Sequence, residues 1–446
     1  MKQYLLKIIS ITLLAAVFGI SACSEDDNGG GGVTPPSDLT QGNDQLVATE
    51  VIVGGTEVIS IEGTITEGFI MEADSRYWLN DIVEVEGSTL TIEPGTIIYA
   101  NPDVIENAGV YLLINQGARI EADGGNAAGL IRFTSGNVLV GGAATRDWGG
   151  LIIAGNGQIN LGGTGQVEGV GAPYGGDNDN DDSGILRYVR IEYGGAFISA
   201  SEDLNGLSLY GVGSGTTIEN VQIFEGGDDG IELYGGMVDL KHIVVTNAQD
   251  DQLDYTNGWR GRAQYIAIVN TKTGDNGFEM DNLEGNETAT PRSQPQISNV
   301  TMINYNGAAS GEGIQLRRGT YGNFHNILVI GYEPGVVVDG TESQNAVAAG
   351  DLVVANNAIF SNTPYSDWVE GSDIPNNNTV LETTPVLMDD FVGVLTEADG
   401  VSPVDASTAL DSWFESTDYV GAADPDASSA WWSGGWVLNA DGNTIE

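Results

Sequence analysis

One short strand-like segment recurs along the second half of this chain, and few folds can accommodate it. It reads Tyr188-Val189-Arg190-Ile191, Asn220-Val221-Gln222-Ile223, His242-Ile243-Val244-Val245 and Tyr265-Ile266-Ala267-Ile268. It continues as Asn299-Val300-Thr301-Met302, Asn326-Ile327-Leu328-Val329 and Asn357-Ala358-Ile359-Phe360. The closest copies are Val221 and Ile243, 22 residues apart, and the most distant are Ile266 and Val300, 34 apart. A second short strand follows: Leu207-Ser208-Leu209, Ile231-Glu232-Leu233, Leu253-Asp254-Tyr255, Phe278-Glu279-Met280, Ile314-Gln315-Leu316 and Val336-Val337-Val338. A unit this short cannot bury its own apolar face, whereas stacked units can. The pattern predicts an all-β chain wound as a right-handed parallel β-helix, a solenoid. A β-propeller is the alternative, but its blades take about 40–45 residues and four strands. Asn220, Asn299, Asn326 and Asn357 are expected to form a ladder in which each side-chain amide bonds to the next.

Strand character begins near Val51. Ile59, Ile61 and Ile65 alternate with polar residues or glycine, and Leu90 to Ile98 reads as strand, Pro-Gly turn, strand. The expected boundaries are 49–370 for the solenoid and 371–446 for a C-terminal capping region. Trp413, Trp431, Trp432 and Trp436 are expected to close the last coil, because solenoid ends must be covered. The 64 glycines accompany abundant Val, Ile and Leu, which means tight turns between strands rather than disorder.

The amino terminus reads as an export signal. Lys2 and Lys7 precede an apolar run from Ile8 to Phe18 that is too short to span a bilayer. Residues 1–22 are expected to be a signal peptide and 23–48 a flexible acidic, Gly- and Pro-containing tether. Ile20-Ser21-Ala22-Cys23 resembles the lipobox of bacterial lipoproteins, and Cys23 is the only cysteine. The resemblance implies cleavage before Cys23 and acylation there. Two or more acyl chains anchor a protein stably where one does not. Ser24-Glu25-Asp26-Asp27 is similar to the acidic tag of Bacteroidetes-type surface lipoproteins, which implies a lipid-anchored outer-membrane protein facing the exterior. The alternative is an ordinary secretory signal in which Cys23 is incidental.

A formal net charge of −48 excludes nucleic acid as a partner, since nothing would neutralise its phosphates. It suits an extracellular medium rich in divalent cations. Aligning the second strands reveals an acidic ladder: Asp228-Asp229, Asp250-Asp251 and Asp275-Asn276 upstream, with Glu232, Asp254 and Glu279 at the strand centres. Their apolar neighbours should point inward, and period-two alternation then turns these three acids outward. Coils about 4.8 Å apart would cost roughly 3.5 kcal/mol per stacked like-charge pair at an effective dielectric near 20, and about 0.9 in bulk water.

Three readings follow. The acids are turn residues and solvated surface. Or Asp228, Asp229, Glu232, Asp250, Asp251, Asp254, Asp275 and Glu279 bind Ca²⁺, which takes six to eight oxygen ligands. Or Asp229, Asp250, Asp251 and Asp254 form an active site acting on a polysaccharide, as hydrolase or lyase. Asp177, Asp179 and Asp181 are a second Ca²⁺ candidate, although an EF-hand is excluded because Asp182 and Tyr188 stand where it needs Gly and Glu. Tyr234 and Trp259 are candidates for stacking on sugar, while Tyr255 should point inward. Arg260 and Arg262 are expected either to contact a ligand or to pair with the ladder. The chain carries no Walker loop, zinc-type Cys/His spacing or Ser-His-Asp set.

Gly227-Asp228-Asp229 and Gln249-Asp250-Asp251 resemble the paired-Asp motif of polygalacturonase-type β-helix hydrolases. The companion Gly-His-Gly and Arg-Ile-Lys segments of that family are absent, which argues against that activity. Thr91-Ile92-Glu93-Pro94-Gly95-Thr96, Asp147-Trp148-Gly149-Gly150, Leu204-Asn205-Gly206-Leu207 and Gly211-Val212-Gly213-Ser214-Gly215-Thr216 resemble a wider group. These are surface β-helix proteins of pectate-lyase-like architecture without established activity. The expected function is Ca²⁺-dependent binding of polysaccharide or another extracellular ligand. The alternatives are an enzyme acting at the ladder, or a structural, adhesive protein without catalysis.

Overall fold

Parallel pairing dominates the computed structural model, which describes residues 38–104, 109–198, 203–306, 311–389, 391–424 and 430–446. The expected signal segment 1–22, Cys23 and the expected tether up to residue 37 lie outside the described residues. Leu46–Val53 and Thr56–Ile65 open the fold as an antiparallel hairpin. From Thr56–Ile65 onward each coil pairs with the next in parallel, down to Ala358–Phe360 against Thr379–Val380. Twenty-five strands join in this one hydrogen-bonded sheet. The chain is a right-handed parallel β-helix, and no propeller blade is present among the described residues. Its first strand starts at Leu46, inside the expected tether, and its last coil runs past residue 370 to Val380. Among the described residues no helix is long and apolar enough to cross a membrane.

The longer strands bend at a fixed place. Tyr188, Asn220, His242, Tyr265, Asn299 and Asn326 all adopt left-handed backbone, with φ between 51° and 64°. The ladder register skips them: Arg187 pairs with Glu219 and Val189 with Val221, leaving Tyr188 and Asn220 at the corner. Asn tolerates this conformation better than most residues. Each long strand therefore contributes to two faces, and the second short strands form a third.

This corner replaces the expected amide ladder. Asn356, not Asn357, occupies the column, because His325 pairs with Ala355 and Leu328 with Ala358. Asn299 and Asn326 bond outward rather than to each other: Asn299 donates to the carbonyl of Tyr419 and Asn326 to that of Val404.

Inward positions fill the solenoid. Leu207, Leu209, Ile231, Leu233, Leu253, Tyr255, Phe278, Met280, Ile314 and Leu316 are buried against Val221, Ile223, Ile243, Val245 and their equivalents. Each buried aliphatic contributes about 1.5–3 kcal/mol, and Leu253→Ala is expected to cost about 2–5. The turn entering each second strand comes close to this core. At Gly230 an added Cβ would lie 2.4 Å from Val245 Cγ1, and at Gly313 it would lie 2.4 Å from the Gly335 carbonyl oxygen.

The C-terminal segment corrects another expectation. Trp432 and Trp436 pack on Val244, Ala267 and Val269, and Trp431 lies on His242 with ring centroids 5.1 Å apart. Trp413 sits over Lys241 and Arg262. These tryptophans cover the middle of the solenoid's side rather than its end. The last coil is closed instead by Asp367–Glu370 and Ile374–Asn377, which bury Val369 and Ile374 in the main core. From Phe391 the chain runs back along the left-handed corner. Amide side chains grip its backbone at both groups. Gln222 donates to the Leu438 carbonyl (2.8 Å) and accepts from its N–H (2.8 Å). Gln264 does the same with Glu415, and Asn326 with Val404.

Candidate functional site

The third face is built from short strands in strict register: Ile231 beside Leu253, Phe278, Ile314 and Val336. Its central outward column reads Ile152, Ser208, Glu232, Asp254, Glu279, Gln315, Val337. The acids occupy three adjacent coils, with neutral polar residues on either side and apolar ones beyond.

A second column stands two residues before each strand. The side-chain oxygen of Asn205 accepts the N–H of Asp229 (3.2 Å), and Asp229 accepts that of Asp251 (2.9 Å). Asp251 accepts the N–H of Asn276 (2.7 Å), and Asn276 that of Glu312 (2.7 Å). Asp and Asn are equivalent here because each offers one carbonyl-type oxygen to the next coil. This chain of bonds splits the Asp pairs. Asp229 and Asp251 are buried, whereas Asp250 and Asp275 are exposed. Burial, with Asp250 nearby, pushes the Asp251 carboxyl up to about 8, and burial with Glu232 raises Asp229 well above the ordinary range.

Three overlapping groups of carboxylates converge: Asp229, Glu232 and Asp254; Asp251, Asp254 and Glu279; Asp250, Asp251 and Asp275. In each group the oxygens lie within 4.8 Å of one another. Asp254 belongs to two of them. Its Oδ1 is buried without a hydrogen-bond partner, as is Gln315 Oε1 one column position beyond Glu279. Burial, then the Glu232 and Asp251 charges, raise the Asp254 carboxyl. Glu232 accepts from Asn205 Nδ2 (2.8 Å) and from the Tyr234 hydroxyl, yet burial still pushes it up to about 8. An all-oxygen donor set of this kind suits a hard cation such as Ca²⁺.

Two arginines border the cluster. Arg317 contacts Glu279 and pairs with Asp281 (2.8 Å). Arg146 pairs with Asp203 (3.1 Å) and approaches Asp228 (3.8 Å). Asp228 thus faces Arg146 and joins none of the three groups.

Several other sequence candidates lie elsewhere. Trp259 is fully buried, with its indole N–H on the Val238 carbonyl. Tyr234 points outward, as its parity requires, but stacks on Tyr210 at 3.9 Å beneath the loop that follows Ala154. That loop lays Ile159, Val167, Ala172 and Tyr174 over the face. Neither ring is free for a sugar. Tyr255 is inward and buried, as expected. Arg260 pairs with Asp179 (2.8 Å), and Arg262 pairs with Asp239 and Asp411, so neither meets the ladder.

Asp177, Asp179 and Asp181 do not converge. Asp177 is exposed, Asp179 is held by Arg260 and Gln158, and Asp181 accepts from Asn156 and Ser183. Despite some burial, Arg260 keeps the Asp179 carboxyl below its ordinary range. These residues fasten the covering loop.

Asn205 was a missed member of the site. Its signal was present, since Asn205-Gly206-Leu207 aligns with Asp229-Gly230-Ile231. Arg146 gave no signal, because it arrives from a loop more than eighty residues upstream of Asp228.

The chain matches the pectate-lyase-like β-helix domain family over residues 63–436, and it belongs to that family. No curated protein and no solved structure matches it. Membership agrees with the parallel coils and points to a polysaccharide-related role.

Proposed function

We propose that this protein works at the cell exterior, held on the outer membrane through lipid on Cys23. There its acidic column binds Ca²⁺ and, through the ion, a polysaccharide bearing carboxylates. One observation carries the reading: the three carboxylate groups overlap on Asp251 and Asp254, and one Asp254 oxygen is buried without any partner. A buried, unpaired carboxylate is costly, and either a proton or a divalent cation compensates it; only the cation also uses the neighbouring carboxylates as ligands. Asp250 and Asp275 are exposed at the edge of the same cluster, where an ion can enter and keep positions for an outside ligand. The test is calorimetric titration of Ca²⁺ into the chain lacking residues 1–23, beside Asp254→Asn. Saturable binding that the variant loses is the expected result. Absence of binding in both proteins returns the face to solvated turns and favours a structural, adhesive role.

A second reading, hydrolysis, rests on a different observation. Asp251 is pushed up to about 8 beside Asp250, whose carboxyl is exposed yet also raised, first by burial and then by Asp275, so that two carboxyls stand together. Release of reducing ends from polygalacturonate, abolished by Asp250→Asn, would favour it. Release of unsaturated products would favour the lyase form.

A further inference from the structure

With Tyr234 and Trp259 covered, one ring remains exposed beside the acidic row. Phe197 is 61% exposed. It lies flat against Arg146, whose guanidinium carbon is 3.8 Å from the ring centroid. Arg146 is itself fixed, by Gln249 (3.0 Å), the Gly195 carbonyl (3.3 Å) and Asp203 (3.1 Å). Phe197 and Asp203 also form an antiparallel bridge across their loop. The ring therefore has a braced underside and more than half its surface in water. Tyr305, the other exposed aromatic ring among the described residues, lines a groove with Asp389, Asn439 and Asp441 on the side of the C-terminal segment.

Arg146 ties the ring to the acidic row, since it also approaches Asp228 (3.8 Å) and is bonded to Gln249, the neighbour of Asp250. A pyranose presents a face of C–H groups that an aromatic ring can cover, and a ring already braced loses little side-chain freedom on binding.

We propose that Phe197 is the stacking platform for one sugar ring of an acidic polysaccharide whose neighbouring carboxylates are held at Asp250, Asp251 and Asp275. This rests on the Ca²⁺-dependent reading above. Arg146 acts as a positioning residue that holds the platform.

The experiment is calorimetric binding of polygalacturonate and of alginate to the full chain in Ca²⁺, for wild type, Phe197→Ala and Phe197→Trp. Phe197→Ala is expected to weaken binding about tenfold, the weight of one aromatic contact, with Ca²⁺ affinity and thermal midpoint unchanged. Phe197→Trp is expected to restore it. Wild-type affinity in Phe197→Ala overturns the platform while leaving the Ca²⁺-dependent reading intact. If the wild type binds Ca²⁺ but neither polysaccharide, the polysaccharide reading fails and the platform with it.

Discussion

Two polar columns lie along the same solenoid, one at the left-handed corner and one on the acidic face, the second charged over three adjacent coils. Both repeat once per coil, and both are set by the same parallel register. At the corner, four amides find partners in the returning C-terminal segment: Gln222 on Leu438, Gln264 on Glu415, Asn299 on Tyr419, Asn326 on Val404, while His242 Nδ1 stays buried without one. On the acidic face the covering loop packs on Tyr210 and Tyr234 and reaches Asn257 and Asn282, yet Asp254 keeps an oxygen without a partner. The corner's amides are bonded by a distant segment, whereas the acidic column keeps carboxylates crowded against one another. A buried polar atom without a partner calls for an explanation such as an ion or a catalytic role.

The comparison breaks most visibly if the corner does not need its cover. Removing residues 391–446 bares Val244, Ala267, Ile303 and Leu328 and orphans four buried amides, each worth about 1–3 kcal/mol. The expected outcome is loss of a cooperative melt by circular dichroism; a midpoint near wild type would mean that the segment is ornamental. Asn299→Ala is expected to cost about 3 kcal/mol in denaturant unfolding. It removes bonds to Gln264, Thr417 and Tyr419 and puts alanine at φ 59°.

The acidic column should behave in the opposite sense. Asp251 and Glu232 are pushed up to about 8, and Asp228 and Asp281 to about 7, all first by burial. A carboxyl whose folded value lies above its unfolded value of about 4 binds its proton better when folded. Its favourable contribution is complete below about pH 4 and is lost as pH rises toward 8. The ion-free protein is thus expected to melt at a lower temperature at pH 8.5 than at pH 5.5, with Ca²⁺ narrowing the gap. A flat profile without Ca²⁺ would contradict the burial of these charges. Smallest is Asp254→Asn, expected to stabilise the ion-free protein by about 1 kcal/mol at alkaline pH, where the raised carboxyl is driven to ionise, and to change little at pH 5.5. A loss of stability would instead place Asp254 among the structural bonds.

Both columns were visible before the fold, but in different degrees. The recurrence of Val189, Val221, Ile243, Ile266, Val300 and Ile327, each leading a strand of alternating residues, required stacked coils. It also placed Glu232, Asp254 and Glu279 on one outward line, because side-chain parity and coil pairing are local rules. What partners each residue meets is not local. Asp229 and Asp251 look like Asp228 and Asp250 in sequence, yet a rotation of one residue sends the first pair into a ladder of backbone bonds, turns Asp228 toward Arg146 and leaves Asp250 exposed. Asn357 and Asn356 exchange places for the same reason, a single residue of register at a corner. The tryptophans of the tail read from sequence as a lid on the last coil, and they are not. That they cover the middle of the side, and that Arg260 pins a loop while Arg146 reaches the acids, depends on contacts between segments separated by eighty to two hundred residues. The sequence alone thus determined the repeating scaffold and the line of acids. Only the tertiary structure decided which carboxylates lack a partner, because satisfaction of a buried charge is settled by whatever distant chain is packed against it.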